Sequence, residues 1–456
     1  MCDKIKEKLY RTGGFMGREQ ERMKKKLEKN PILECLRIQK KFYPELFRKF
    51  DEVKDPRNQS YIDYSNRVML GTLFFKSIGG IASMQDMTRM FNDEQVVSNL
   101  YSFLGSGKQD YLPHHVTLNE YLERLKPSEL EEIQQDIVYR MIRRKTFNSA
   151  KVLGKWLVIV DGTELDEGPE QKNENYLERC YNRGTEKEFR RYHRGVLEAK
   201  IYFGNGLVAS IGTETIENDK DYQNKKNSDK KIKQDCENKA FFRLADKIKK
   251  AFPRLPICIV ADGLYVSENV INKCRENKWE YIIRYKEGCA PTIEKEYQAI
   301  PEKSVAENAE FVNEVIFKEG TVNVLKYKET RVKNGEEVTT AFAWITSFGI
   351  TEKNALKLVG AGRNRWKIEN QGFNRQKRWQ GNIEHACSYN ENAQKCHYLM
   401  EQIADFMKQL YELFYLAKHE IIKVQKNISS DLLASFGRQL TREDISQNDM
   451  HSISVN

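Results

Sequence analysis

Two short apolar runs, each followed by an Asp-Gly pair, constrain the fold of this 456-residue chain more than any other feature. The first run covers residues 156–160 and precedes Asp161, and the second covers residues 257–261 and precedes Asp262. Runs of this length, rich in Val and Ile, predict buried strands. Since functional groups gather at the carboxyl ends of strands in α/β sheets, the pattern predicts a pair of carboxylates at one sheet edge.

A third acid, Glu369, lies in a stretch with helical character, residues 365–370. Taken singly, an Asp-Gly pair after a strand usually marks a turn. Two of them together with a later acid on a helix instead predict three carboxylates that converge on two divalent cations. We expect these cations to be Mg²⁺ or Mn²⁺, two per site, because hard cations prefer oxygen ligands. Glu384 is a weaker candidate for the third acid.

The order of predicted elements indicates the fold class. Residues 31–150 have helical periodicity, whereas from residue 151 short strands alternate with helices, which predicts an α/β fold with a mixed sheet flanked by helices. Five segments follow from this pattern: a helical N-terminal segment at 1–150, a first α/β segment at 151–289, a β-rich insertion at 290–346, a second segment with Glu369 at 347–417, and a polar, loosely packed C-terminal tail at 418–456.

Basic residues are clustered along the chain. The net charge is +10, residues 1–30 hold ten Lys/Arg against five acids, and residues 363–378 hold six Lys/Arg against one acid. Such patches suit a polyanion, although solvated helix faces have the same composition. The candidates for DNA contact are Arg363, Arg365, Trp366, Arg375, Lys377 and Arg378.

Arg365 and Trp366 each allow two interpretations. Arg365 is four residues before Glu369, so it could form a surface ion pair with that acid or bind a phosphate beside the metals. We favour the phosphate. Trp366 could stack on an unpaired base or belong to the core, and we slightly favour the core.

Other features narrow the class of protein. The nine cysteines form no Cys-x-x-Cys pair, which indicates reduced thiols and a cytoplasmic protein. No apolar stretch reaches eighteen residues, so neither a membrane span nor a signal peptide is expected. The absence of a P-loop sequence argues against ATP use.

With these residues in view, the segment Arg365-Trp366-x-Ile368-Glu369 resembles the third catalytic block of DDE transposases of the fourth insertion-sequence family. The two strand-Asp-Gly segments resemble the first two blocks, and Lys233–Glu237 resembles a segment of insertion-sequence transposases. This chain departs from the family at two positions. Gly362 stands where the family has Tyr, and Gln376 stands where it has Lys, with Lys377 one residue later.

The resemblance implies a ribonuclease H-like core, interrupted by the β-rich insertion, in a bacterial cytoplasmic enzyme associated with the nucleoid when it acts. It also implies a homodimer on double-stranded DNA that cuts the terminal inverted repeats and joins them to target DNA. Residues 1–150 would then bind the DNA ends, and residues 151–289 and 347–417 would form the two parts of the catalytic core. Two alternatives stay open. One is a ribonuclease H-like nuclease without strand transfer, and the other is an inactive, transposase-derived DNA-binding protein.

Overall fold

The computed structural model describes residues 30–229, 231–285, 288, 290–333 and 336–440. The basic run expected at residues 1–30 and the turn expected at 333–335 therefore fall almost wholly outside the described residues. The described chain divides into two compact units. The first combines residues up to Arg143 with those from Asn374 onward, and the second is Arg144–Phe373.

Helices make up the N-terminal part of the first unit, as predicted. Helix α3 (Asn66–Ile78) shows how they form: Ser65 caps it, since its side chain accepts a hydrogen bond from the Val68 amide. An apolar stripe then fills the buried face, and the helix ends at Gly79-Gly80, where Gly80 has φ +69°. The other helices here are α1 (Pro31–Phe42), α2 (Leu46–Glu52), α4 (Met84–Met90), α5 (Glu94–Leu104), α6 (His115–Arg124) and α7 (Pro127–Arg143).

A mixed sheet forms the second unit. Its described strands are β1 (Trp156–Gly168), β2 (Leu177–Tyr181), β3 (Phe189–Tyr202), β4 (Val208–Ile216), β5 (Ile257–Ala261), β6 (Glu280–Arg284), β7 (Ser304–Ala306), β8 (Ala309–Phe317), β9 (Gly320–Lys333) and β10 (Glu336–Thr346). The helices are α8 (Tyr222–Ser228), α9 (Glu237–Ala251), α10 (Glu268–Glu276), α11 (Pro291–Ala299), α12 (Ala355–Arg363) and α13 (Trp366–Ile368).

Strand order runs β2-β3-β1-β5-β6-β10-β9-β8-β7, and β4 also pairs with β3. Strand β3 is antiparallel to its two neighbours β1 and β4, whereas β5 and β6 run parallel to β1. The central order β4-β3-β1-β5-β6 is consistent with the ribonuclease H-like core that the resemblance implies. The mixed α/β class expected from the sequence is therefore confirmed.

The β-rich segment continues this sheet. Strand β10 pairs with β6, with Trp344 opposite Arg284, and β9, β8 and β7 follow in order. The segment predicted at 290–346 thus contains the expected strands, but they extend the sheet of the core.

The C-terminal part of the first unit differs from the expected division. It contains α14 (Asn374–Arg378), α15 (Glu391–Tyr411) and α16 (Gln425–Ser435). The buried side of α15 packs against the N-terminal helices α1, α3, α6 and α7, and for this reason residues 374–411 group with them. Part of the predicted loose tail is ordered as well: Ile428 and Leu432 of α16 are buried, and Phe436 packs on Phe75. Among the described helices, none is long and apolar enough to cross a membrane.

Candidate active site

Asp161 and Asp262 lie side by side because their strands are parallel and in register. Strands β1 and β5 pair from Trp156 with Ile257 to Ile159 with Val260, and two further residues along each chain bring Asp161 beside Asp262. Strand β1 continues to Gly168 because β3 still pairs with it beyond the end of β5. Asp161 is therefore inside a strand, at the point where β5 stops, and the terminal position expected for it is corrected.

Backbone amides orient both carboxylates. Oδ1 of Asp262 accepts a hydrogen bond of 2.9 Å from the Leu264 amide and so caps the 3₁₀ turn Gly263–Tyr265. Oδ1 of Asp161 accepts from the Gly162 amide at 3.1 Å. Burial raises the pKa of Asp161 to about 6; Arg365 opposes this rise, and Asp262 and Glu237 add to it. The carboxylates of Asp161, Asp262 and Glu237 therefore repel one another, and a cation would relieve that repulsion.

Glu237 is an acid at this site that the sequence patterns did not single out as catalytic. It is the first residue of α9, and its Oε2 accepts a hydrogen bond of 3.1 Å from the Tyr265 hydroxyl. A Cβ at position 162 would lie 2.5 Å from Oε1 of Glu237, so Gly162 leaves the space that this carboxyl group occupies. Burial raises the pKa of Glu237. The sequence contained one indication of Glu237, the resemblance of Lys233–Glu237 to a segment of insertion-sequence transposases. That resemblance gave Glu237 no role.

Glu369 opens a π-helical turn, Glu369–Phe373, directly after α13. Its side chain is half-buried. Within the described part of the chain, no three His, Cys, Asp or Glu side chains are close enough together to hold one metal ion. The structure thus brings Asp161 and Asp262 together, with Glu237 beside them, and does not bring Glu369 into one group with them as the sequence predicted. π-Turns are frequent at functional sites.

The Arg365 guanidinium pairs with Asp161. Its Nη1 is 3.2 Å from Oδ2 of Asp161, and the side chain is only 11% exposed. The alternative of a surface ion pair with Glu369 is therefore replaced by a pair with Asp161. The Arg365 guanidinium therefore balances the negative charge of the Asp161 carboxylate, as a bound cation would.

Arg284, the last residue of β6, adds a second guanidinium. Arg365 lies 4.7 Å from the ring centre of Trp366, and Arg284 lies 6.0 Å from it. Burial and the neighbouring Arg365 lower the pKa of Arg284, while Asp262 opposes this shift. The buried Nε atoms of both arginines have no hydrogen-bond partner among the residues that the structure describes. Two half-buried guanidiniums with spare donors are suited to bind an anion.

Trp366 is 42% exposed, which contradicts the slight preference for a core position. It precedes Glu369 by three residues in a short helical segment, and its ring packs on the two arginines. The ring is thus held by cation–π contacts and retains an exposed surface.

Steric packing explains why position 362 is a glycine. A Cβ at this position would lie 2.6 Å from Cε2 and 2.8 Å from Cδ1 of Trp344, a fully buried indole stacked on Phe342. The Tyr that the family has at this position would collide with Trp344, so the departure is a packing requirement of this chain.

The remaining basic candidates differ in availability. Arg363 is half-buried and bonded to Glu329, Lys377 pairs with Glu384, and Arg378 is exposed. The pairing of Glu384 with Lys377 in the first unit gives no support to its use as a third acid.

Arg375 and Gln376 are buried in the first unit. Arg375 donates to Asp405 at 2.7 Å and to both carboxylate oxygens of Glu412. Gln376 donates to Gln402 and Asp405 at 2.9 Å. Their donors are used inside the protein, so the DNA contact expected for Arg375 has no support in this geometry. Gln376, which replaces the family's Lys, is part of a buried hydrogen-bond network.

Comparison with known protein families gives one match that includes part of this site. Residues 233–404 match the model of a family described as the transposase DDE domain. The matched segment contains Glu237, Asp262, Arg284, Arg365 and Glu369, and begins after Asp161. The match supports a DNA transposase.

Among solved structures, the chain is similar to the cryo-EM structure of the piggyBac transposase synaptic complex with hairpin DNA, at 13% identity and a TM-score of 0.42. The similarity covers 94% of this chain and 83% of that one. No curated protein matches the sequence.

Proposed function

We propose that the protein is a DNA transposase that cleaves the ends of an insertion sequence and joins them to target DNA. The observation that supports the proposal is the pair of carboxylates, Asp161 and Asp262, at the point where β5 ends beside its parallel neighbour β1. Asp262 falls within the segment matched by the transposase DDE domain. The alternatives differ in what happens after cleavage, and the experiment below separates them.

The donor set fits hard divalent cations. Asp161 and Asp262 supply carboxylate oxygens beside each other, and their mutual repulsion favours a bound cation. We propose that these two acids and Glu369 hold Mg²⁺ or Mn²⁺, two ions per site. Bound ions would polarise the phosphodiester and lower the pKa of water. Glu237 lies close enough to orient groups around that pair.

The arginines would bind the substrate. Arg284 and Arg365 each carry a buried Nε without a partner among the described residues, and a phosphate oxygen between strand ends and helix would accept from them. When cations neutralise the Asp161 carboxylate, Arg365 would release Asp161 and bind a DNA phosphate in its place. Trp366 presents its exposed ring beside these guanidiniums, where a DNA base could stack.

Arg363, Lys377 and Arg378 would contact the DNA backbone. We leave Arg375 out of this set because its buried guanidinium already pairs with Asp405 and Glu412. The DNA partners would be terminal inverted repeats and target DNA, bound by a homodimer in the bacterial cytoplasm. Light scattering of the protein with duplex DNA tests the dimer.

The test uses duplex DNA that carries the nucleotide sequences flanking the coding region, in the presence of Mg²⁺ or Mn²⁺. We expect the wild-type protein to nick this DNA and to join pre-cut ends to a second duplex. Asp161→Asn and Asp262→Asn should lose nicking but retain the gel shift, because the basic residues are unchanged. Asp246→Asn is the matched control, since Asp246 is largely exposed and pairs with Lys273.

Near-wild-type nicking by either site variant would contradict the assignment. Nicking without joining of pre-cut ends would support the nuclease alternative. DNA binding with no nicking by the wild-type protein would support the inactive DNA-binding alternative.

A further inference from the structure

Lys200 is a buried cation one strand away from the carboxylate pair. It lies on β3, opposite Ile159 of β1, and two residues from Glu198, which lies opposite Asp161. Cross-strand partners share a face of the sheet, so Lys200, Glu198 and Asp161 all lie on one face. Lys200 is 1% exposed and Glu198 is fully buried. Lysine is almost never buried so completely unless it is paired.

The turn that begins with Glu369 covers this lysine. A Cβ at Gly372 would lie 3.2 Å from Cε and 3.4 Å from Nζ of Lys200. The π-helical turn therefore passes close to the lysine side chain, and a methyl group at position 372 would push that side chain by a few tenths of an ångström.

A hydrogen bond from the neighbouring strand β4 orients the Glu198 side chain. The Thr213 hydroxyl of β4 donates a hydrogen bond of 2.8 Å to Oε2 of Glu198. A buried carboxylate thus lies two residues along β3 from a buried ammonium, on the same face of the sheet. Buried ions of opposite sign near each other limit the cost of desolvation. Lys200 therefore has a buried counter-charge on its own strand and the turn at Gly372 beside its side chain.

We infer that Lys200 is a positioning residue for Glu369. Its side chain supports the turn Glu369–Phe373, and its charge lies on the same sheet face as Asp161. The inference rests on the proposed function, since it concerns how the third carboxylate is held for metal binding. Lys200 itself touches no substrate.

The first test changes the contact and keeps the charge. Gly372→Ala adds a methyl group against Lys200, whereas Gly360→Ala adds one where no atom lies within 4 Å. Mn²⁺ binding is measured by calorimetry without DNA, and folding is checked by cooperative thermal melting. We expect Gly372→Ala to weaken Mn²⁺ binding about 10-fold or more, as changes behind metal ligands do. Gly360→Ala should match the wild-type protein.

The second test changes the charge and keeps most of the length. Lys200→Met should weaken Mn²⁺ binding and lower kcat for nicking, with KM for DNA little changed. If Lys200 merely added positive charge near the metals, its loss would strengthen Mn²⁺ binding, so the sign separates the two roles. Weaker Mn²⁺ binding in cooperatively folded Lys200→Met supports the inference, and weaker binding in Gly372→Ala adds that the contact with the turn transmits the effect.

Wild-type or stronger Mn²⁺ affinity in cooperatively folded Lys200→Met overturns the inference alone, and the proposed function then stands on the Asp161 and Asp262 variants. A wild-type protein that neither binds Mn²⁺ nor nicks DNA overturns both.

Discussion

Arg365 donates a hydrogen bond to Asp161 across 204 residues of sequence, with Nη1 3.2 Å from Oδ2. The contact joins the residue expected to bind phosphate to the acid expected to bind metal. In the absence of a cation, the guanidinium compensates the charge of Asp161. DNA and metal together would then compete for both partners, which couples substrate binding to assembly of the site.

Replacing Arg365 by Gln should slow nicking and shift its pH dependence. Arg365 lowers the pKa of Asp161, so its loss should raise that pKa above about 6 and move the acid limb of the rate profile to higher pH. A charged hydrogen bond is worth about 1.5–3 kcal/mol, or roughly 10- to 150-fold in rate. Initial nicking rates from pH 5.5 to 9 would be measured. Arg331→Gln is the control, because Arg331 is exposed, pairs with Glu329 and has no proposed role at the site; an unchanged rate and profile in Arg365→Gln would refute the coupling.

Glu237→Gln should reduce nicking by about 10- to 100-fold, a typical loss for a residue behind metal ligands. The amide keeps the shape that fits above Gly162 but removes the negative charge beside Asp161 and Asp262. Nicking rates at a series of Mn²⁺ concentrations would show the effect, with the exposed Glu276→Gln as control. Full activity at low Mn²⁺ would show that Glu237 has no part in the site.

Trp366→Ala should weaken DNA binding and spare stability. Stacking on a base is worth roughly 1–3 kcal/mol, whereas removal of a core aromatic residue costs about 3–5 kcal/mol. Since Trp366 is 42% exposed, we expect the smaller effect on folding. Thermal melting beside a time course of nicked and double-cut DNA distinguishes the two. A large loss of stability with unchanged DNA affinity would restore the core interpretation.

Gly362→Ala should destabilise the second unit, because the added methyl group overlaps the Trp344 indole. Overpacking of this kind costs about 1–3 kcal/mol. A smaller ring in Trp344→Phe should relieve part of this cost, so the double variant should be more stable than the sum of the single changes predicts. Denaturant unfolding of the four proteins gives this coupling, and strict additivity would argue against the clash.

Glu401 of the first unit predicts a pH dependence of stability. Burial raises its pKa to about 8, so the folded protein retains a proton that the unfolded chain releases near its ordinary pKa of 4.5. Stability from this group is thus complete below that value and declines as the pH rises to about 8. Glu401→Gln should therefore raise Tm at pH 8 by a few degrees and change it little at pH 5.

The control for this prediction is Glu391→Gln on the same helix, which removes a half-exposed pair with Lys395. Such pairs contribute about 0–1 kcal/mol. Equal shifts of Tm at both pH values would indicate better packing and not a proton.

The parts of this fold that were predictable share a local cause. Apolar runs specify β1 and β5, and the acids follow them directly, so Asp161 and Asp262 could be found from short windows of sequence. Arg284 and Glu237 come to the same place only through the tertiary fold, because neither is close in sequence to Asp161 or part of the same strand. A short window of sequence therefore cannot predict their position. Their local patterns, the end of a strand and the start of a charged helix, are common to many surface residues.

Charge alone also misled at Arg375. The basic run 363–378 predicts a DNA-binding surface, yet the partners that bury Arg375 are Asp405 and Glu412, more than twenty residues downstream. Trp366 shows the opposite error, since a large apolar side chain usually implies a core. Two arginines from different elements hold it at the surface instead.

The glycine after Asp161 has a consequence for variation at this site. An Asp-Gly pair is normally interpreted as a turn, but Gly162 lies inside a strand and is small because Glu237 needs the room. An Ala at position 162 would displace the Glu237 carboxyl group from its place beside Asp161 and Asp262. Positions 162 and 237 are therefore expected to vary together, and a residue larger than Gly at 162 in a related sequence would indicate a different position for the acid at 237.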